Sequence, residues 1–188
     1  MSAVERYEDP YLHYVLRNVF EESYLQKLIH ALRDEQLHGQ FSLQNSDLFT
    51  FLQCDIEKTK NPLIRSFVSF LHSPSFIEKI AEIVGISVSW IDVSAFIFEK
   101  THHLLPHDDR MPTRRIAYVI NLSTLAPADG GSLALYEMHD GDPSRITKRI
   151  SPQSNSIILF PVTLKSFHEV EEVVADTQRI TITGWLHD

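Results

Sequence analysis

At Gly85 the chain changes its hydrophobic period, and that change divides the sequence into two kinds of structure. Before it, apolar residues recur three and four positions apart. Over 22–37, Leu25, Leu28, Ile29 and Leu32 form one helical stripe. Leu63, Ile64, Phe67, Phe70 and Leu71 repeat the pattern after Asn61-Pro62. A third helix is punctuated at both ends. Ser73 can cap it, Pro74 suits its first position and Gly85 can end it, with Phe76, Ile77, Ile80, Ile83 and Val84 as its stripe. The polar stretch 41–59 is expected to be loop carrying a short strand. From Ile86 onward, short runs rich in Val, Ile, Thr and Phe alternate with turn residues, the signature of strands. The runs are 87–99, 114–121, 132–138, 145–150, 156–160, 166–170 and 179–185. Breaks such as Asp129-Gly130-Gly131, Asp140-Gly141-Asp142-Pro143 and Ser151-Pro152 separate them. Strands at this spacing predict a sandwich or a jelly-roll barrel. The helices of 1–85 would pack outside the β-unit of 86–188, giving an α+β architecture.

At 188 residues the chain is expected to form one domain, 1–188. With 43% hydrophobic and 22% charged residues it is neither disordered nor fibrous nor a coiled-coil rod. Seventeen basic against twenty-five acidic residues leave a net charge of −8, with no basic patch, so no nucleic-acid partner is expected. The longest apolar runs, such as 156–162, fall far short of the ~20 residues that cross a bilayer, so no membrane partner is expected either. The start, MSAVERYEDP, is acidic and lacks the apolar core of a secretory signal. The lone Cys54 excludes an internal disulfide and fits a reducing compartment. A cytoplasmic location is therefore expected, or a nuclear one in a eukaryote. Ten histidines are a surplus for this length and point to metal or proton chemistry.

The densest cluster is His107-Asp108-Asp109. On an extended segment, residues two apart share a face, so His107 and Asp109 can offer an imidazole nitrogen and a carboxylate oxygen to one metal. His168 is the candidate third ligand. Two histidines and one carboxylate make a facial triad with open positions, the arrangement of non-haem Fe(II) oxygenases. Taken singly, His107 is equally an exposed turn histidine, and His168 a half-buried strand residue. Arg179 follows His168 by eleven residues and opens the run Arg179-Ile180-Thr181-Ile182-Thr183. Alternation puts Arg179, Thr181 and Thr183 on one face and the isoleucines on the other. A guanidinium fork beside a hydroxyl suits a carboxylate. The alternative is a strand with a solvated polar face.

In this order, HxD, a distal His and then Arg-x-Thr, the chain resembles the Fe(II)/2-oxoglutarate dioxygenases. The likeness extends to Leu104-Leu105-Pro106, to Arg114-Arg115-Ile116-Ala117-Tyr118-Val119-Ile120-Asn121-Leu122 and to Gly130-Gly131-Ser132-Leu133-Ala134-Leu135-Tyr136. It continues through Pro152–Phe160 and Ser166–Val170. Over about residues 90–186 it resembles the prolyl-hydroxylase branch, in particular the catalytic domain of ribosomal-protein prolyl 3,4-dihydroxylases and their bacterial relatives. The resemblance implies a double-stranded β-helix of the jelly-roll, cupin-like kind. It also implies iron bound by His107, Asp109 and His168, and 2-oxoglutarate held by Arg179 with Thr181. Dioxygen would be the second co-substrate and ascorbate a further candidate cofactor. An intact carboxylate at Asp109, where related halogenases have a small residue, implies hydroxylation, with succinate and carbon dioxide released.

Two positions depart from that pattern. Asn121 stands where many relatives have a tyrosine that bonds the co-substrate, and can still donate a hydrogen bond. Phe98 stands where some have another tyrosine, and cannot. The implied partner is a prolyl residue in a protein or peptide; free proline or another small molecule is the alternative. A cupin-like module that binds metal without turnover, and a structural β-sandwich in a larger assembly, are the other readings. Of Arg114 and Arg115, one is expected to face the substrate mouth or both to make surface salt bridges. Trp90 and Trp185 are expected in the core or at its rim.

Overall fold

All three expected helices form, each with the cap its sequence supplies. The computed structural model describes residues 4–188; Met1–Ala3, the start of the acidic N-terminal stretch, lie outside the described residues. Helix α1 is Glu22–Leu37, α2 is Pro62–Leu71 and α3 is Pro74–Val84. The Glu21 carboxylate accepts from the backbone N–H groups of Ser23 and Tyr24, satisfying two orphan donors of the first turn of α1. The Asn61 side chain does the same for Leu63 and Ile64 at α2. At α3, Ser73 accepts from Phe76 N–H, Pro74 occupies the first turn, and Gly85 closes the helix at φ 77°.

The N-terminal half holds most of its regular structure in these helices, but not all of it. It also supplies β1 (Val4–Tyr7), β2 (His13–Arg17), β3 (Ser42–Asn45) and β4 (Phe49–Cys54). These strands are too short to show a period by themselves, and β2 and β4 also take partners far along the chain. The stretch read as loop is thus a β3–β4 hairpin followed by a short 3-10 turn. The C-terminal half supplies β5 (Trp90–Ile91), β6 (Ser94–Phe98), β7 (His103–His107), β8 (Arg114–Asn121) and β9 (Leu133–His139). It continues with β10 (Asp142–Ile150), β11 (Ser156–Pro161), β12 (His168–Val170) and β13 (Arg179–His187). The expected run 87–99 is split at Asp92–Val93, and β7 was not among the expected strands. β10 starts earlier than expected and includes Pro143, which an edge strand tolerates.

Every strand pair is antiparallel, in the order β1-β2-β11-β8-β13-β6-β4-β7-β12-β9-β10, with β3 beside β4 and β5 beside β13. The sheet rolls over on itself. Phe160 of β11 and His168 of β12 are far apart in that order, yet their rings meet at 4.8 Å. Alternation sorts the side chains between two packed volumes. From β8, Ile116, Tyr118 and Ile120 face α1–α3 together with Ile157, Leu159, Ile180 and Ile182. Ala117 and Val119 face the other way and pack with Leu133, Leu135, Ile158 and Phe160 inside the roll. This places the helices outside a jelly-roll unit, as expected, and leaves the inside of the roll for a site.

Candidate active site

Inside the roll lies a cavity of about 570 Å³, within the ~300–1,000 Å³ usual for small-molecule sites. His107, Asp109, His168, Arg179, Thr181 and Thr183 all line it. Strand register brings the two histidines together. His107 of β7 stands directly opposite His168 of β12, so both imidazoles project from the same face.

Asp109 arrives differently from the expected alternation. β7 ends at His107, and Asp109 lies beyond it with φ 62°, in the left-handed region that aspartate tolerates better than most residues. Its carboxylate is 7% exposed and sits between the rings. Oδ1 is 3.4 Å from His107 Nε2, and Oδ2 is 3.3 Å from His168 Nε2. The three donor groups lie within 4.8 Å of one another. Cis ligands sharing a metal at ~2.1 Å lie ~3 Å apart, so the set has the right size.

The tautomers complete the fit. His107 Nδ1 lies 2.8 Å from Leu105 O, and His168 Nδ1 lies 2.8 Å from Ser166 O. A carbonyl can only accept, so each Nδ1 carries the proton and each Nε2 presents a lone pair. Two lone pairs then converge on a carboxylate. Burial pushes the His107 pKa down, but the hydrogen bond and charge of Asp109 outweigh it and raise the net value. Burial likewise works to raise the Asp109 pKa, and the two histidines overcome it, holding the carboxyl far below the usual range.

In the same cavity stands Arg179, 2% exposed. It makes no ion pair among the described residues, and its Nε has no hydrogen-bond partner. Burial pulls its pKa down to about 10, still charged at neutral pH. Its guanidinium carbon lies 5.1 Å from the centroid of the Phe98 ring. Phe98 thus supplies a cation–π contact to the guanidinium. Thr181 Oγ1, one alternation further along β13, is buried and equally without a partner. An unpaired buried cation is costly unless a counter-ion completes it. Arg179 and Thr181 together fit a carboxylate.

Asn121 is the expected site residue that the cavity wall does not include. It is buried across from Thr181 on β8, and its Nδ2 donates to Ser156 Oγ at 3.1 Å, leaving Oδ1 without a partner. Asp108 points away and pairs with Arg110. His102 and His103 stay outside the cluster. Arg115 pairs with Asp188 at the surface, whereas Arg114 lines the cavity and lies flat on Trp185, with 3.3 Å between guanidinium carbon and ring centroid. Trp90 is at the rim, stacked on His187. The sequence reading missed an aromatic wall made by Phe49, Phe51 and Phe96 with Phe98. Its signal was there, as two Phe-x-Phe pairs with the strand period.

Fold and site together define a class. The model of the 2OG-Fe(II) oxygenase superfamily matches residues 93–187, half of the chain, and the chain belongs to that superfamily. Over 183 residues it is 32% identical to a prolyl 3-hydroxylase, OGFOD1, of Xenopus laevis, and over 184 residues 33% identical to that of Mus musculus. Each match takes in 95% of this chain but only 35% and 33% of the relative, so the chain spans about a third of their length. Among solved structures it is similar to a Pseudomonas putida prolyl-4-hydroxylase, with TM-score 0.76 at 15% identity, covering 93% of this chain and 91% of that one. A Trichoplax adhaerens prolyl hydroxylase in complex with a hypoxia-inducible-factor peptide gives 0.74 at 15% identity, covering 94% and 83%. These likenesses bear out the double-stranded β-helix expected from the sequence. Among the described residues, no helix is long and apolar enough to cross a membrane.

Proposed function

We propose that this chain is a catalytic domain, residues 1–188, that hydroxylates a prolyl residue in a protein or peptide, using Fe(II), 2-oxoglutarate and dioxygen. The observation that carries the reading is the buried Arg179, with no acidic partner among the described residues and an unbonded Nε, beside the unbonded Thr181 hydroxyl, in one cavity with the converging His107, Asp109 and His168. Iron and 2-oxoglutarate, when bound there, supply the oxidation of a C–H bond to C–OH, with succinate and carbon dioxide as companion products. The protein's own part is to hold and to exclude. Leu105 O and Ser166 O fix the imidazole tautomers so that both Nε2 atoms would be free to bind the metal. Arg179 and Thr181 would hold the far carboxylate of 2-oxoglutarate, and Asn121 would support that end through its strand pairing with Thr181. Ala117, Val119, Leu133 and Phe160 keep the reacting region apolar. Ascorbate would serve as an external reductant. The family and the names of its relatives support a prolyl substrate, and the buried lone Cys54 supports a reducing compartment such as the cytoplasm.

A metal-binding module without turnover would have no use for a buried guanidinium that lacks a counter-ion. Succinate production from 2-oxoglutarate in air, with Fe(II) and a pool of proline-containing peptides, tests the reading. Iron-dependent succinate that is lost in Asp109→Ala is the expected result. Metal binding without any succinate, and without 2-oxoglutarate binding, would return the protein to the non-catalytic class. Free proline replacing the peptides as the better substrate would move the specificity to small molecules.

A further inference from the structure

Arg114 lines the cavity and touches both Trp185 and the backbone of a triad residue. Its guanidinium lies on Trp185 at 3.3 Å. Its Nη1 donates to the backbone carbonyl of Asp109 at 3.3 Å. It has no carboxylate partner among the described residues, so this carbonyl is its hydrogen-bonded anchor. Asp109, in turn, stands just past the end of β7 with φ 62°, outside any ladder that would hold its backbone. The loop that carries it is tied down at few points. Ser166 Oγ donates to Asp108 O at 3.5 Å, Arg114 N–H donates to Met111 O, and Arg110 pairs with Asp108. Of these ties, only the guanidinium of Arg114 reaches Asp109 itself.

We propose that Arg114, braced on Trp185, is a positioning residue that holds Asp109 in its left-handed conformation and so keeps the carboxylate aimed between His107 and His168. This rests on the metal site proposed above. Stacking is what makes Arg114 suitable. A planar guanidinium lying on an indole is fixed in direction, and its edge N–H groups stay available in the plane. Partners one shell out from a metal commonly set its affinity by orienting the ligands.

The inference has a sign that a simpler account reverses. Arg114 is a cation near a site for a divalent cation. Through charge alone, its removal should tighten metal binding. Through positioning, its removal should weaken it. The test is Mn(II) affinity of the metal-free protein by calorimetry, for the wild type, Arg114→Gln and Arg114→Lys, with the melting temperature of each apo protein as control. Loss of metal affinity by roughly 10-fold in Arg114→Gln, with the apo melting temperature kept, is the expected result. Arg114→Lys keeps the charge and loses the planar fork, and it should also bind Mn(II) more weakly than wild type. If Arg114→Gln lowers the apo melting temperature markedly, Trp185→Leu takes its place. It removes the brace and leaves the charge, and it should weaken Mn(II) binding in the same direction. Unchanged or tighter Mn(II) binding in the folded variants overturns the proposal. A wild type that binds no Mn(II) overturns instead the metal site on which it rests.

Discussion

Arg179, buried and without an acidic partner among the described residues, is a stability cost to the apo protein. A guanidinium kept from water without a counter-ion is worse than a hydrocarbon of similar size in that place. Arg179→Met should therefore raise the melting temperature of the apo protein while weakening 2-oxoglutarate binding by about 10- to 100-fold, as loss of a charged hydrogen-bonded contact does. Thermal shift and calorimetry on the same samples check both halves; a fall in apo stability would show that Arg179 already has a partner. The triad carries a pH signature. In the metal-free protein the raised His107 pKa means that its protonated form contributes stability fully below 6.5, lost as pH rises through the raised value. Asp109, with its depressed pKa, contributes above 3.8 and is lost only as pH falls through its low folded value. A metal competes with the His107 proton. The gain in melting temperature on adding Mn(II) should therefore grow as pH climbs through the titration of His107, and a gain that shrinks over that range would count against the site. Of these residues the HxD pair, His168 and Arg179 were legible, because their spacing survives in one dimension. The left-handed turn that delivers Asp109 was not, since nothing in Asp108-Asp109-Arg110 marks it. Nor was the seclusion of Asn121 behind Thr181, which depends on the neighbours of β8.

Among the elements, the helices wrote their own ends. Ser73, Pro74 and Gly85 define α3 to the residue, because capping is local chemistry within one turn. Ser73→Ala should cost ~1 kcal/mol and lower the melting temperature by about 2–4 °C, with no change in Mn(II) affinity. The short strands of the first half could not be read in the same way. β2 is a five-residue strand whose identity comes from its pairing with β11, more than a hundred residues further on. β7 was hidden by Pro106 and by two histidines that do not look like strand formers. Turn glycines fall between these cases. Gly130 has φ 77°, and a Cβ there would stand 2.0 Å from Glu172 O. Gly130→Ala should thus disturb the bridge from Gly130 to Val173 and destabilise the fold by more than an ordinary surface change; a wild-type melting temperature would be the contrary result.

For the whole molecule, the sheet divides two tasks between its two sides, the helix-facing core on one and the cavity on the other. Leu28→Ala, on the helix side, should cost ~2–5 kcal/mol and leave 2-oxoglutarate affinity nearly unchanged. The change of period at Gly85 was enough to place helices outside a β-unit, since that argument needs only the pattern and not the pairing. How the sheet rolls, and which strands it brings face to face, is information about partners, and no single segment carries it. The division is sharpest in β13, where Arg179, Thr181, Thr183 and Trp185 look into the cavity while Ile180 and Ile182 look into the core. Two messages are interleaved there letter by letter. Substitutions can revise either one alone, so the lineage can drift in specificity at the odd positions and in robustness at the even ones. A single inserted or deleted codon cannot. It would swap the two readings at once, driving the guanidinium into the hydrocarbon and the isoleucines into the pocket. Within this segment, descent should therefore show many replacements and no length variation.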